Sequence, residues 1–248
     1  MTARRRDIDL ANWPVAILAG GLATRLRPAT DKIPKALLSV AAEPFLVHQL
    51  RLLHSEGFRK IVLCVGYLGE LIEAKIGDGK RLGLQIDYSF DGPTLLGTGG
   101  ALKRAISKLG QRFLVIYGDS YMPVDYAAVV EAFVRSEKPA LMTVFENEGR
   151  WDTSNVWFEA GKIHRYDKKT RIAEMRHIDY GIGVLTAGVF AGFPDNTPFD
   201  LADLYSCLVS EKQMAAYEVK QRFYEIGSDQ GLAELDALLR NNTVSLPA

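Results

Sequence analysis

The chain has 248 residues, 48% of them hydrophobic and 24% charged, a composition typical of a soluble globular protein with a sizeable core. Thirty Lys and Arg residues balance thirty Asp and Glu residues, so no overall charge favours nucleic acid or a membrane as a partner. The chain has no apolar run of the roughly 18 residues that a membrane span needs, and no apolar stretch suited to a signal peptide. We therefore expect a cytoplasmic protein.

The first 149 residues alternate short apolar strands with amphipathic helices. Strands are predicted at 15–19, 60–65, 84–88, 113–117 and 140–145, and helices at 45–55, 68–76, 99–109 and 125–136. This order predicts an α/β protein with a three-layer α/β/α arrangement around a mostly parallel, Rossmann-like sheet. Ligands of such sheets bind beyond the carboxyl ends of the strands, where Gly20-Gly21 and Gly118-Asp119 both fall.

The remainder of the chain has shorter strands and more turns. Strands are predicted at 155–158, 162–166 and 182–185, and helices at 199–210 and 228–240, with Ser228 as the N-cap of the last helix. We predict one domain over residues 13–240, divided into parts 13–149 and 150–240, between tails at 1–12 and 241–248. The second part is a smaller, β-containing portion.

The loop after the first strand combines glycines with positive charge. Gly20 and Gly21 let backbone N–H groups approach a phosphate, and four basic residues follow: Arg25, Arg27, Lys32 and Lys35. The spacing is not that of a P-loop. A plain Gly-Gly turn before a solvated basic loop is the alternative interpretation.

Residues 18–35 resemble the signature of the sugar-1-phosphate nucleotidyltransferases, also called NDP-sugar pyrophosphorylases. That signature is Leu-Ala-Gly-Gly-x-Gly-Thr-Arg-Leu-x-Pro-x-Thr followed by Pro-Lys, and here only its third glycine is replaced, by Ala23. The resemblance implies the fold of nucleotide-diphospho-sugar transferases, and a nucleotide bound by the start of the loop: Leu18, Ala19, Gly20 and Gly21.

Two further segments resemble nucleotide-binding and metal-binding motifs of the same family. Gly97-Thr98-Gly99-Gly100-Ala101 resembles the segment that lines the nucleoside pocket, with a glycine-rich helix start as the alternative. Asp119 ends a strand, where the family holds Mg²⁺ against phosphate. The alternative for Asp119 is a turn or N-cap residue.

The second part of the chain carries weaker matches to the sugar-phosphate side of the family's site. The resemblance assigns Asp167 to sugar hydroxyls, Lys168 to the sugar phosphate, and Asn155 and Gly181 to contacts with the sugar. A solvated charge run is the alternative for the Asp167-Lys168 pair. Glu225 stands where the family has its second metal-binding Asp, with Asp229 as a substitute.

The resemblance implies an enzyme that joins an NTP to a sugar 1-phosphate with Mg²⁺ as cofactor. Asp119 and Glu225 would hold the metal, Arg25 and Lys35 would stabilise pyrophosphate, and Lys168 would hold the attacking phosphate. The 96–101 stretch resembles that of the mannose- and heptose-phosphate guanylyltransferase branch, which implies GTP with a mannose- or heptose-type sugar. Similar stretches also occur in uridylyl-, cytidylyl- and thymidylyltransferases. No nucleic acid or membrane partner is expected, and a homodimer is one option.

Two other functions fit the same sequence. The first is a transferase for a phospho-alcohol such as phosphocholine, in which Trp151 and Trp157 would form a cage for the quaternary amine. The second is a non-catalytic subunit that binds nucleotide. The departures from the family pattern at Ala23, Asn155, Asp179 and Glu225 favour this second reading.

Overall fold

A computed structural model describes residues 8–21 and 32–243. Its strands are β1 Val15–Leu18, β2 Ser39–Val40, β3 Glu43–Pro44, β4 Lys60–Val65, β5 Gln85–Phe90, β6 Arg112–Tyr117, β7 Ser120–Tyr121, β8 Ala140–Glu146, β9 Val156–Glu159, β10 Lys162–Tyr166, β11 His177–Thr186, β12 Met214–Val219 and β13 Tyr224–Glu225. Its α-helices are α1 Phe45–Ser55, α2 Gly69–Ile76, α3 Gly97–Leu109, α4 Tyr126–Ser136, α5 Leu201–Ser210 and α6 Asp229–Thr243. None of these helices is long and apolar enough to cross a membrane.

The main sheet of the described residues has nine strands and draws on both parts of the chain. Strands β5, β4, β1 and β6 are parallel neighbours in that order. Strand β11 then runs antiparallel between β6 and β8, and β12 pairs in parallel with β8. The β9–β10 hairpin joins at the start of β11. The predicted α/β fold with its mostly parallel sheet is confirmed.

Alternating side chains of the central strand produce the three layers. Val15 and Ile17 of β1 point into the core beneath α1, α2 and α4, while Ala16 between them points into the core beneath α3 and α5. Both faces of the strand are therefore buried, which explains its continuous apolar sequence. A smaller cluster, containing Phe45 and Leu235, packs α6 against the start of α1.

Several predicted boundaries change in the structure. Strand β11 is ten residues long rather than four, and β12 fills a stretch for which no strand is predicted. Helix α3 begins two residues earlier than predicted, at Gly97, and α6 continues into the predicted tail. The predicted N-terminal tail contains Leu10, which is buried against the core. Ser228 caps α6 as predicted, accepting a hydrogen bond from the Gly231 N–H at 3.0 Å.

Candidate active site

A cavity of about 310 Å³ opens at the carboxyl ends of the parallel strands. Its walls include eight of the predicted site residues: Leu18, Ala19, Gly20, Gly21, Lys35, Gly97, Thr98 and Asp119. The volume lies at the lower end of the range for small-molecule sites. The two glycine-containing segments, which are 76 or more positions apart along the chain, thus lie on one cavity, as expected for the crevice of an open α/β sheet.

Close backbone approaches hold the cavity walls together. Gly118 follows β6 and donates its N–H to the carbonyl of Leu18 at 2.9 Å, and a Cβ at residue 118 would lie 2.7 Å from that carbonyl oxygen. Gly97 begins α3 with φ +68°, a left-handed conformation that favours glycine. Gly99 does not line the cavity. It packs beneath the Phe199 ring, so its small size serves the packing of α3 against residues 197–199.

Lys35 and Asp119 line this cavity, and Glu225 lies next to them on the wall of a second, smaller pocket. These three residues are here called the acid–lysine cluster. The Lys35 ammonium donates to Asp119 Oδ2 at 2.7 Å. Strand β13 pairs with β7 so that Glu225 lies opposite Ser120, and the Ile226 N–H donates to the Asp119 carbonyl at 3.0 Å.

Gly227 shows how close the second carboxylate is to the lysine. A Cβ at Gly227 would lie 2.9 Å from Lys35 Nζ and 2.5 Å from Glu225 Oε2. A positive charge therefore already lies near both predicted metal-binding carboxylates. The same place suits Mg²⁺, which prefers hard oxygen ligands.

The Glu225 carboxylate also has local hydrogen bonds. Its Oε1 accepts from the Ser228 hydroxyl at 2.6 Å, and its Oε2 accepts from the Gly227 N–H. These bonds orient the longer Glu side chain at the N-terminal end of α6, where backbone N–H groups favour a negative charge. Each carboxylate oxygen has a further lone pair, so these contacts leave acceptor capacity for a cation. Asp229, the substitute ligand, is exposed at the start of α6.

On the other side of Tyr117, a group of charged residues adjoins the cavity. The Lys168 ammonium lies 5.9 Å from the centroid of the Tyr117 ring, and Tyr117 lines the cavity. The Thr98 hydroxyl donates to Asp200 at 3.0 Å. Burial acts to raise the pKa of Asp200, but hydrogen bonds from the Ala202 N–H and the Thr98 hydroxyl together with the charges of Lys168 and Lys169 outweigh it, and the pKa is lowered. Lys168 thus faces a carboxylate that stays ionised.

Asn155 and Gly181 lie around Asp179, at a register shift in β11. The Asn155 side chain accepts from the Asp179 N–H at 3.0 Å, and Asp179 Oδ1 accepts from the Gly181 N–H at 3.1 Å. Burial raises the pKa of Asp179, and the charge of Lys168 acts in the opposite direction. Gly181 has φ +104° and lies against the Tyr117 ring. Asn155 therefore supports Asp179 through the backbone.

Asp167 is engaged in its own turn. Its Oδ1 accepts from the Lys169 and Thr170 N–H groups at 2.8 and 2.9 Å, and its Oδ2 accepts from Arg165 at 3.0 Å. The N–H groups, that of Thr170 foremost, lower the pKa of Asp167 to about 2. These bonds satisfy the carboxylate locally, whereas the charge of Lys168 acts to lower the pKa of Asp179. The assignment of Asp167 to sugar hydroxyls stays a prediction.

Arg25, predicted to bind pyrophosphate, lies in residues 22–31, outside the described residues, as do Ala23 and Arg27. The described ends of this segment, Gly21 and Lys32, lead into the cavity wall at Gly20 and at Lys35.

A family model described as nucleotidyl transferase matches residues 15–158, more than half of the chain. The chain belongs to the nucleotidyl transferase family. The matched range contains the Gly20-Gly21 loop, the Gly97–Ala101 segment and Asp119. The resemblance found in the 18–35 motif is therefore confirmed.

Named relatives of this nucleotidyl transferase family protein act on different substrates. A UTP–glucose-1-phosphate uridylyltransferase of Synechocystis is 31% identical over 84% of this chain, which spans 58% of that protein's length. An N-acetylmuramate alpha-1-phosphate uridylyltransferase of Caulobacter vibrioides is 28% identical over 90% of this chain and 95% of its own. The structure of a putative glucose-1-phosphate thymidylyltransferase of Bacillus anthracis superposes with a TM-score of 0.82 at 22% identity, covering 92% of this chain and 96% of its own, which shows the shared fold.

Sequence reasoning assigned no role to Cys64, Leu95 and Tyr117, which line the cavity of this family member together with Asp91. Cys64, Asp91, Leu95 and Tyr117 lie at or just beyond the ends of strands β4, β5 and β6. Asp91 is only 5% exposed; its Oδ2 accepts from the Leu96 N–H at 3.0 Å, while its Oδ1 has no hydrogen-bond partner among the described residues. Burial raises the pKa of Asp91, although the Leu96 N–H and the Arg104 charge oppose the shift. The position of Asp91 directly after strand β5 was the available signal.

The two tryptophans considered for a quaternary-amine cage already have partners. The Arg222 guanidinium lies 3.8 Å from the centroid of the Trp151 ring and 4.4 Å from that of Tyr224. Trp157 stacks on His164 with the ring centroids 4.8 Å apart. Since a side chain already covers a face of each indole, neither ring is set up as an open cation cage.

Proposed function

We propose that the protein transfers a nucleoside monophosphate from an NTP to a sugar 1-phosphate and releases pyrophosphate. The observation that carries this proposal is the Lys35–Asp119 ion pair, with Glu225 close by, on the wall of a cavity also lined by Gly20-Gly21 and Gly97-Thr98. The named activities of the two uridylyltransferase relatives support it.

The proposed chemistry needs positioning and charge neutralisation more than proton transfer. An oxygen of the sugar phosphate bonds to the α-phosphorus, and the bond from that phosphorus to the β-bridging oxygen breaks with its electron pair, releasing pyrophosphate. The nucleophile is already an anion, so no general base is required. In this proposal, Lys168 holds the attacking phosphate beside Tyr117.

In the same proposal, the glycine loop and the acid–lysine cluster bind the triphosphate end from which pyrophosphate leaves. Lys35 neutralises charge on the departing pyrophosphate, together with the predicted Arg25. Asp119 and Glu225 are proposed to hold Mg²⁺, because their carboxylates converge where Lys35 already places a positive charge. When bound, Mg²⁺ would supply further neutralisation of phosphate oxygens.

For the nucleobase we propose guanine, and for the sugar a mannose- or heptose-type 1-phosphate. Asp91 supports guanine because it lines the cavity and its buried Oδ1 has no hydrogen-bond partner among the described residues, which is costly unless a donor reaches it. Guanine offers two neighbouring donors, N1–H and the N2 amino group, whereas uracil offers one N–H. The sugar proposal rests on the resemblance of residues 96–101.

Pyrophosphate release with Mg²⁺ tests the proposal, with five NTPs (ATP, CTP, GTP, UTP and dTTP) assayed against a panel of sugar 1-phosphates and phosphocholine. We expect one NTP–sugar pair to stand well above the rest and to be lost in Asp119→Asn. The matched control is Asp78→Asn, which removes a carboxylate that also lies 2.7 Å from a lysine but sits exposed beside Lys80.

Each other outcome points to a different function. Preference for UTP would overturn the guanine proposal and leave the reaction class intact. Turnover of phosphocholine alone would favour the phospho-alcohol transferase despite the covered Trp151 ring. NTP binding without release across the whole panel would favour a non-catalytic nucleotide-binding subunit.

A further inference from the structure

A glutamine on the buried face of α1 reaches the turn that carries Asp119. Gln49 is 2% exposed and lies one helical turn from both Phe45 and Leu53, which are fully buried. A polar residue in this position interrupts an otherwise apolar helix face. Burying an amide is unfavourable unless it makes hydrogen bonds, so its contacts indicate why it is there.

Both N–H groups of the Gln49 amide are used on one turn. Nε2 donates to the carbonyl of Tyr117 at 2.9 Å and to the carbonyl of Ser120 at 2.8 Å. These two carbonyls flank Gly118 and Asp119, so one side chain bridges both sides of the turn. Two carbonyl acceptors also define the orientation of the amide, since its oxygen could not replace the nitrogen there.

The turn is held from other directions by backbone groups. The Gly118 N–H donates to Leu18 at 2.9 Å, and the Asp119 carbonyl accepts from the Ile226 N–H at 3.0 Å. These bonds tie the turn to β1 and to the segment that carries Glu225. Gln49 adds the tie to α1, which follows the Lys35 segment along the chain. The Gly118–Asp119 turn is thus tied to β1, to α1 and to the segment that carries Glu225.

The amide oxygen of Gln49, unlike its nitrogen, makes no hydrogen bond to the described residues. Gln49 Oε1 is buried and has no hydrogen-bond partner among the described residues. An unpaired buried acceptor is unfavourable, so the residue is explained by its two donors. A glutamate at this position would place two acceptor oxygens against two carbonyls and would repel them.

We propose that Gln49 is a positioning residue that holds Asp119 for metal binding. The proposal rests on the proposed function, in which Asp119 is a metal ligand. Without the amide, the Tyr117 and Ser120 carbonyls lose their donor, and the Gly118–Asp119 turn can shift relative to Lys35 and Glu225. Residues that orient metal ligands typically change metal affinity or activity by about 10- to 100-fold when they are replaced.

Gln49→Met tests this assignment, because methionine fills a similar volume without donors. We expect the Mg²⁺ concentration at half-maximal pyrophosphate release to rise about 10- to 100-fold, while KM for the NTP changes much less. Titration with Mn²⁺ alone, followed by the loss of the free-ion EPR signal, should show the same weakening. Gln49→Asn keeps the amide on a shorter side chain, and we expect a smaller shift. Gln85→Met, an exposed glutamine on β5, is the control and should match the wild type.

The outcomes separate this proposal from the proposed function. A Gln49→Met protein with wild-type Mg²⁺ and Mn²⁺ dependence and only a lower Tm would overturn the positioning role. A wild type that releases no pyrophosphate overturns the proposed function, and the Mn²⁺ titration then decides the role of Gln49 alone. A wild type that also fails to bind Mn²⁺ overturns both. If Gln49→Met does not fold, Gln49→Asn carries the test with the same two measurements.

Discussion

Replacing Lys35 by methionine distinguishes a structural lysine from one that acts on substrate. Its ammonium lies 2.7 Å from Asp119, but the two side chains are 20% and 42% exposed, so solvent screens the pair. We therefore expect the free energy of unfolding to fall by no more than about 1 kcal/mol. Turnover should fall much further, by about 10²- to 10³-fold, which is the usual cost of removing one group that stabilises developing negative charge.

Two measurements on the same variant check this prediction. Urea titration gives the free energy of unfolding, and pyrophosphate release gives kcat and KM. Lys80→Met is the matched control, because Lys80 also lies 2.7 Å from an aspartate but is exposed and outside the cavity walls. If Lys35→Met keeps turnover within a few-fold of the wild type, Lys35 does not act on the leaving pyrophosphate and the site assignment is refuted.

Three further predictions follow from single contacts. Gly227→Ala should lower turnover with little change in Tm, because the added Cβ would press on Lys35 and Glu225 of the acid–lysine cluster. Gly188→Ala, at a position with open space around it, is the control and should change neither turnover nor Tm. Equal turnover in the two variants would contradict this prediction. The pKa of Asp91 in the folded protein is raised above its ordinary 3.8. The protonated carboxyl therefore contributes its full stabilisation below about pH 3.8, and this contribution is lost as the pH rises through the folded pKa. Asp91→Asn should flatten this part of the unfolding profile measured in urea against pH, and an unchanged profile would refute the reasoning. Burial raises the pKa of the Cys64 thiol to about 12, whereas Cys207 is exposed. A thiol reagent at about pH 8 should therefore add one label, at Cys207, as measured by intact mass. Two labels on the folded protein would contradict the burial of Cys64.

The central fold was predictable because its signals are local. Strands β1, β4 and β6 are short apolar runs, since both of their faces are covered by helices, and their sequence alone indicates buried strands. Strand β12 was missed because half of its residues are only partly buried and its sequence carries no strong alternation. It becomes a strand by pairing with β8, where each residue of β12 lies opposite a residue 74 positions earlier in the chain.

The candidate site was likewise only partly predictable from the sequence. The glycine loop, Lys35 and Asp119 were identified by their sequence motif, and the structure brings the described members of that motif to one cavity. Asp167 shows the limit of a motif, because its local turn occupies both carboxylate oxygens. No motif pointed to Gln49.

The sequence alone thus determined the strands and helices of the central fold, the phosphate-loop motif and the family. Only the tertiary structure decided that Gln49 meets the Gly118–Asp119 turn, that Glu225 lies beside Lys35, and that Asp91 faces the cavity. The physical reason is the range of the interactions. Apolar periodicity and helix caps act within a few residues, whereas contacts between polar groups far apart in the chain depend on strand order and register, which packing of the whole core determines.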